Sequence, residues 1–315
     1  MTIAAGDSGP LPRVRPFRLL DLETLVAQQD FFHMARRYPP EIAWPLLVDA
    51  TRYDWQVQAE SGDRAVGFLK HVAARSFGSN VAAQQAWIEF MTGRMVDPTL
   101  FVLWQDPWQV VQRHVTVSGQ AVLERVRREF GRMVAVSPHW DAYLALPVCL
   151  LADGWRVNCQ TEPDVATWWT QLTARHLTSA ERLRVVGVTN AGGLTDRLVQ
   201  EVRAGWSAFI TPDYNLGERG PAPATVPFVG GPLAATTGPA RVATTAQVPL
   251  VGMTLSRVGP LAYRWEVAEP LYWPGETLPD VDTLTARMYQ YLESKVAENP
   301  TRWWGWIHAE GGEPG

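Results

Sequence analysis

Lysine and cysteine are both scarce in this chain. Lys70 and Lys295 are its only lysines, so arginine carries nearly all of the positive charge. The 28 basic side chains are outnumbered by 32 acidic ones, which leaves a formal net charge of -4. A chain of that balance has no field that would gather a polyanion, and nucleic-acid binding is not expected. The two cysteines, Cys149 and Cys159, lie in or beside apolar sequence and form no metal or redox spacing. They read as buried, inert thiols of a reducing compartment. Long apolar runs are missing too. Nowhere do about eighteen apolar residues follow one another, so no membrane-spanning helix is expected. Residues 1–16 are rich in small residues and proline and lack the apolar stretch of a signal peptide. The expected location is cytoplasmic, with at most peripheral contact at the inner face of a membrane.

What is present is a large apolar complement. The 315 residues are 46% hydrophobic, enough for a substantial core near the upper size of one domain. The 15 tryptophans are rings suited to core packing or to a long apolar pocket. Residues 1–16 read as a disordered lead and residues 17–130 as a helical part packed on the core. Residues 131–315 read as an α/β core continuous with that part. Apolar positions recur at helical spacing through residues 19–92, and residues 121–130 form a charged amphipathic helix. From residue 133 the pattern alternates. Residues 133–137, 155–158, 183–188 and 207–210 read as strands, and residues 143–151, 166–176 and 194–204 as helices. A last helix covers residues 284–296 and stops at Asn299-Pro300. Such alternation predicts an α/β fold with a mainly parallel central sheet flanked by helices, behind a helical N-terminal extension.

In sheets of this kind ligands bind beyond the carboxyl ends of the strands. His139 and Asp213 each follow a predicted strand and a proline that stiffens the turn. An imidazole at such a place suits a general base, because its ordinary pKa lies near working pH. A carboxylate on its far nitrogen would fix the tautomer and stabilise the imidazolium.

The motifs around these residues point to a family. Ser137-Pro138-His139-Trp140 resembles the block around the reactive histidine of the bacterial lipid A biosynthesis acyltransferases. Thr211-Pro212-Asp213-Tyr214-Asn215, continued by Val226-Pro227-Phe228-Val229-Gly230, resembles that family's acidic turn and the element after it. Gly238-Pro239-Ala240-Arg241 with Val248-Pro249-Leu250-Val251, and Glu298-Asn299-Pro300 with Trp303-Trp304-Gly305-Trp306-Ile307-His308, resemble its later blocks. The four blocks keep the family's order over about residues 130–310. The resemblance implies the α/β fold shared with glycerolipid acyltransferases. It also implies transfer of an acyl group from a phosphopantetheine-linked thioester, on acyl carrier protein or coenzyme A, with no metal or redox cofactor.

One position departs from the family. Its histidine is followed, after four residues, by Asp or Glu, and counting from His139 that position is Leu144. Asp213 is the preferred replacement, arriving from the neighbouring strand end, and Asp141 is the alternative. Arg175 and Arg257 are expected to hold the thioester oxyanion or a phosphate of the donor, and Tyr214 and Asn215 to line the pocket. Arg241 after its Gly-Pro-Ala turn, and His308 in its Trp-rich segment, read as structural. So do His33, His71 and His114. Residues 220–239, rich in Pro and Gly, read as a long loop over the site. Residues 217–220 lack the spacing of a phosphate-binding loop. No Ser or Cys sits in a nucleophile elbow, so direct transfer without an acyl-enzyme is expected. The expected acceptor is a hydroxyl or amine, on a soluble small molecule of natural-product assembly or, alternatively, on a membrane glycolipid. A third reading, motivated by Leu144, is a non-catalytic binder of acyl chains or carrier protein.

Overall fold

Runs of three to five β-prone residues are too short to bury themselves, so they must share one sheet and be covered on both faces. The computed structural model has that architecture. It describes residues 37–61, 80–103, 107–161, 166–167, 169–170, 173–174, 180–187, 193–213, 224–229, 231–277 and 280–305.

The described chain begins with helices α1 (Pro40–Ser61) and α2 (Asn80–Met91), a π-helical turn (Thr92–Val96), α3 (Asp97–Leu103) and α4 (Pro107–His114). Strand β1 (Val115–Ser118), α5 (Gln120–Glu129) and β2 (Val134–Val136) follow. A 3-10 turn (Tyr143–Ala145) leads into α6 (Leu146–Ala152), then β3 (Val157–Thr161), β4 (Leu183–Gly187), α7 (Leu194–Arg203) and β5 (Ser207–Ile210). The remainder is β6 (Ala224–Phe228), β7 (Gly231–Ala235), α8 (Gly238–Ala246), β8 (Leu250–Gly259), β9 (Ala262–Val267) and α9 (Val281–Glu298).

Seven strands form one sheet in the order β1-β9-β8-β2-β5-β3-β4. Every neighbouring pair is parallel except the hairpin β8–β9. Strand β2 lies between β8 and β5, with Val136 opposite Ile210 on one side and Gly252 on the other. The segments leaving β2 and β5 therefore emerge side by side at one edge.

Side chains alternate along β2 between two apolar clusters. Ala135 belongs to the cluster formed with residues of α1 to α6, among them Phe90, Leu123 and Leu146. Val134 and Val136 belong to the opposite one, with Val202 of α7, Ala243 of α8 and Leu292 of α9. The helical N-terminal part thus packs on one face of the sheet, and α7 to α9 on the other.

The helix at residues 121–130 and the strand at 207–210 appear as Gln120–Glu129 and Ser207–Ile210. The last helix begins earlier than apolar spacing suggests, because Asp280 caps it by accepting the Thr283 N–H at 2.7 Å. The stretch 220–239 is not one long loop. Its described residues build the antiparallel ribbon β6–β7 and the start of α8. Pro227 and Pro232 face each other in that ribbon, which tolerates them because both of its strands are edges.

Candidate active site

Beyond β2 the chain turns through Ser137 and Pro138, and Ser137 is still tied to the sheet by its N–H on the Ile210 carbonyl at 3.2 Å. His139 is therefore delivered to the edge of the sheet, and Asp213 reaches the same place from the end of β5. Nδ1 of His139 lies 2.7 Å from Oδ1 of Asp213, and the backbone N–H of His139 donates to Oδ2 at 2.8 Å. The Trp303 indole N–H donates to the same Oδ2 at 2.7 Å. The carboxylate side chain is 0% exposed and the imidazole 17%. A buried carboxylate already held by two N–H donors, and still an acceptor on its other oxygen, draws the ring proton to Nδ1, which leaves a lone pair on Nε2.

That outer nitrogen faces the hydroxyl of Thr211, 3.0 Å away. The Tyr143 ring stands edge-on to the imidazole at 5.0 Å between centroids, and Trp304 lies at 6.5 Å. Arg94, from the π-helical turn, rests over the other ring system of this wall, 4.6 Å from the Trp304 centroid. A base with an oriented tautomer and a half-buried mouth walled by aromatics can deprotonate a hydroxyl or amine presented at Nε2.

Two of the residues expected at this site do other work. Asp141 takes a left-handed backbone conformation (φ 51°) that turns its carboxylate away from the imidazole. Its Oδ2 accepts from Arg302 Nη1 at 2.6 Å and from the Arg257 backbone N–H at 3.0 Å, while Oδ1 has no hydrogen-bond partner among the described residues. The backbone of Gly93 lies so close that a Cβ there would sit 2.8 Å from Oδ1. Arg257, expected to hold the donor, is engaged within the fold. Its Nε lies 3.2 Å from Oδ2 of Asp97 and its Nη2 donates to the Glu89 carbonyl at 3.4 Å, with the side chain only 12% exposed. The buried carboxylate of Asp97 neutralises it. Leu144, at the position of the family's acid, packs in the 3-10 turn against the apolar cluster beneath α6.

Asp97 also accepts from Tyr263 at 2.7 Å and Trp44 at 3.0 Å. Burial pushes its carboxyl up to about 6, outweighing the pull of Arg257 and the two hydrogen bonds. A carboxyl raised in the folded state takes up its proton on folding. Its stabilising contribution is full below the unfolded value and is lost as pH rises through about 6. In urea denaturation the wild-type chain is therefore expected to gain on Asp97→Asn as pH falls from 7 to 4, by up to roughly 3 kcal/mol. A gap that is flat or that narrows on acidification would contradict this assignment. Burial likewise pushes the Asp141 carboxyl up, against the pull of Arg302 and Arg257.

Arg175, Tyr214, Asn215 and His308 lie outside the described residues. Among the described residues no group of three or more His, Cys, Asp or Glu side chains gathers as metal ligands would, and no helix is long and apolar enough to cross a membrane. Sequence reasoning missed Thr211, Tyr143, Trp303 and Arg302 as neighbours of the site. Thr211 and Trp303 lie inside the motif blocks around Asp213 and Trp304, and that was the available signal. Nothing in the chain order announces Arg302.

Residues 98–310 match the family model described as bacterial lipid A biosynthesis acyltransferase. No curated protein matches the chain. Among solved structures it is similar to the 1-acyl-sn-glycerophosphate acyltransferase PlsC from Thermotoga maritima. That likeness has 14% identity and a TM-score of 0.35, over 79% of this chain and 97% of that one.

Proposed function

Because the chain belongs to the bacterial lipid A biosynthesis acyltransferase family, we propose that it moves an acyl group from a thioester of acyl carrier protein or coenzyme A directly to a hydroxyl or amine. The observation that carries this reading is the contact between His139 Nδ1 and the buried Asp213 carboxylate at 2.7 Å. The acceptor takes the place of the Thr211 hydroxyl on Nε2 and attacks the thioester carbonyl as the imidazole removes its proton. The carbon–sulfur bond then breaks, and the imidazolium returns the proton to the leaving thiolate. Asp213 stabilises the imidazolium throughout. Arg175 is proposed to stabilise the oxyanion, and Tyr214 and Asn215, next to Asp213 in sequence, to line the acyl or acceptor pocket.

The proposed acceptor is soluble, as in natural-product assembly. Ala309-Glu310 stand where the resembling family carries paired arginines after its last histidine, and this supports that form of the reading. A peripheral protein acting on a membrane glycolipid is the second reading. It is favoured by Ile42 and Leu46, one helical turn apart on α1 and 49% and 59% exposed, and by Tyr38, 45% exposed just before that helix. Flotation with anionic vesicles that is lost in Leu46→Glu supports the second reading, and no flotation supports the first.

Mass spectrometry of thioester turnover, with carrier-protein and coenzyme A donors offered in parallel, tests the activity itself. Direct transfer carries a further expectation. Although Thr211 touches the base, the intact protein should gain no acyl mass when donor is given without acceptor. Thr211→Val should transfer far above the level of His139→Ala. An acyl group mapped to Thr211 would replace direct transfer by a covalent route.

A further inference from the structure

Asp213 has two donors from the loop it serves, the Nδ1 and backbone N–H of His139. Its third, the indole N–H of Trp303, comes from 90 residues further along the chain, at 2.7 Å. That indole belongs to a short strap after α9 which lies antiparallel against the histidine loop. Trp304 N–H donates to the His139 carbonyl at 2.8 Å, and Asp141 N–H donates to the Arg302 carbonyl at 3.1 Å. Trp140 and Trp303 pair as an isolated antiparallel bridge, and the Trp140 indole donates to the Asn299 carbonyl at 2.8 Å. The Trp303 ring is buried and packed by near neighbours. Phe228 lies 5.3 Å away between centroids, and a Cβ on Gly305 would come within 2.0 Å of the ring.

We propose that Trp303 is a positioning residue for the acyl transfer: its indole N–H pins Oδ2 of Asp213 and so keeps Oδ1 on Nδ1 of His139. This rests on the reading of His139 as base and Asp213 as its partner. The physical need is plain. The terminal torsion of an aspartate is soft and roughly two-fold, so one contact with an imidazole does not fix the carboxylate plane. Two N–H groups on one oxygen, one from backbone and one from a wedged indole, do fix it. The same donor shares the negative charge of Oδ2. Its removal concentrates charge toward the imidazole and favours the protonated ring, which as a base is inactive.

The test replaces Trp303 by 3-benzothienylalanine, which keeps the ring and puts sulfur where the N–H was, alongside Trp303→Phe. The isostere should unfold near the wild-type urea midpoint yet lose roughly 10- to 100-fold in kcat, the range typical when the hydrogen-bond partner that orients a metal-ligating side chain is removed. KM should change little, and the acid limb of the pH–rate profile should move to higher pH. The downfield Nδ1–H proton resonance of His139 should shift or broaden. Trp303→Phe should repeat the kinetic changes at lower stability. If the isostere keeps the wild-type kcat, pH profile and resonance, Trp303 does not position Asp213. If His139→Ala transfers at full rate, the assignment of the base fails instead, and the Nδ1–H resonance of the isostere still decides whether the indole pins the carboxylate.

Discussion

Replacing Asp213 by asparagine is expected to slow acyl transfer by on the order of 10²–10⁴, as much as removing the imidazole in His139→Ala. The reason lies in the tautomer. Oδ2 accepts from two N–H donors, the His139 backbone and the Trp303 indole, so an asparagine there keeps its carbonyl oxygen on them. Its NH₂ then faces Nδ1, which must become an acceptor, and the ring proton moves to Nε2. The base is left with no lone pair for the acceptor. Because the two residues act as one unit, the double variant should be little slower than either single variant. Asp141→Asn supplies the contrast. Its carboxylate is engaged by Arg302 and Arg257, so the change should lower stability more than the rate of the chemical step. Turnover followed by mass spectrometry decides between them. A loss in Asp141→Asn equal to or greater than that in Asp213→Asn would remove Asp213 from its assigned role.

Arg302→Met is expected to lower the unfolding free energy by about 3–5 kcal/mol, the usual loss when one partner of a buried ion pair is deleted. Arg302 is 15% exposed and bonds Asp141 at 2.6 Å and Glu89 at 3.3 Å, and Asp141 is fully buried. Among the described residues, loss of the guanidinium leaves the Asp141 carboxylate only the Arg257 backbone N–H as hydrogen-bond donor, because its other oxygen already has none there. Arg302→Lys should recover part of the loss by restoring the charge without the planar fork. Urea denaturation at neutral pH measures both variants. A change of less than about 1 kcal/mol, the range of exposed pairs, would show that this network does not hold the strap to the sheet.

Part of this molecule was legible in the chain order. A short apolar run followed by a rigid turn announces a strand that ends at a functional edge. Two such runs, at 133–137 and 207–210, mark His139 and Asp213 from the sequence alone. Helical and strand periodicities are local, as are prolines after strands. Each depends on residues within one or two turns of each other, and so each can be read from a linear text. Strand pairing is not local. The hairpin β8–β9 and the edge strand β1 carried no assignment, because what makes them strands is the neighbours they meet in the sheet.

The residues that carry chemistry divide along the same line. The chain by itself determined that an imidazole and a carboxylate would arrive at strand ends, that Leu144 could not serve as the acid, and that charge and composition pointed away from nucleic acid. Tertiary structure alone decided which acid meets the ring. It matched Asp213 with His139 because β2 and β5 are adjacent in the sheet although β3 and β4 lie between them in sequence. It turned Asp141 toward Arg302, and it committed Arg257 to the buried Asp97. A side chain's partners are set by distance in space, and a soft torsion or a single left-handed residue is enough to direct a carboxylate to one cation rather than another.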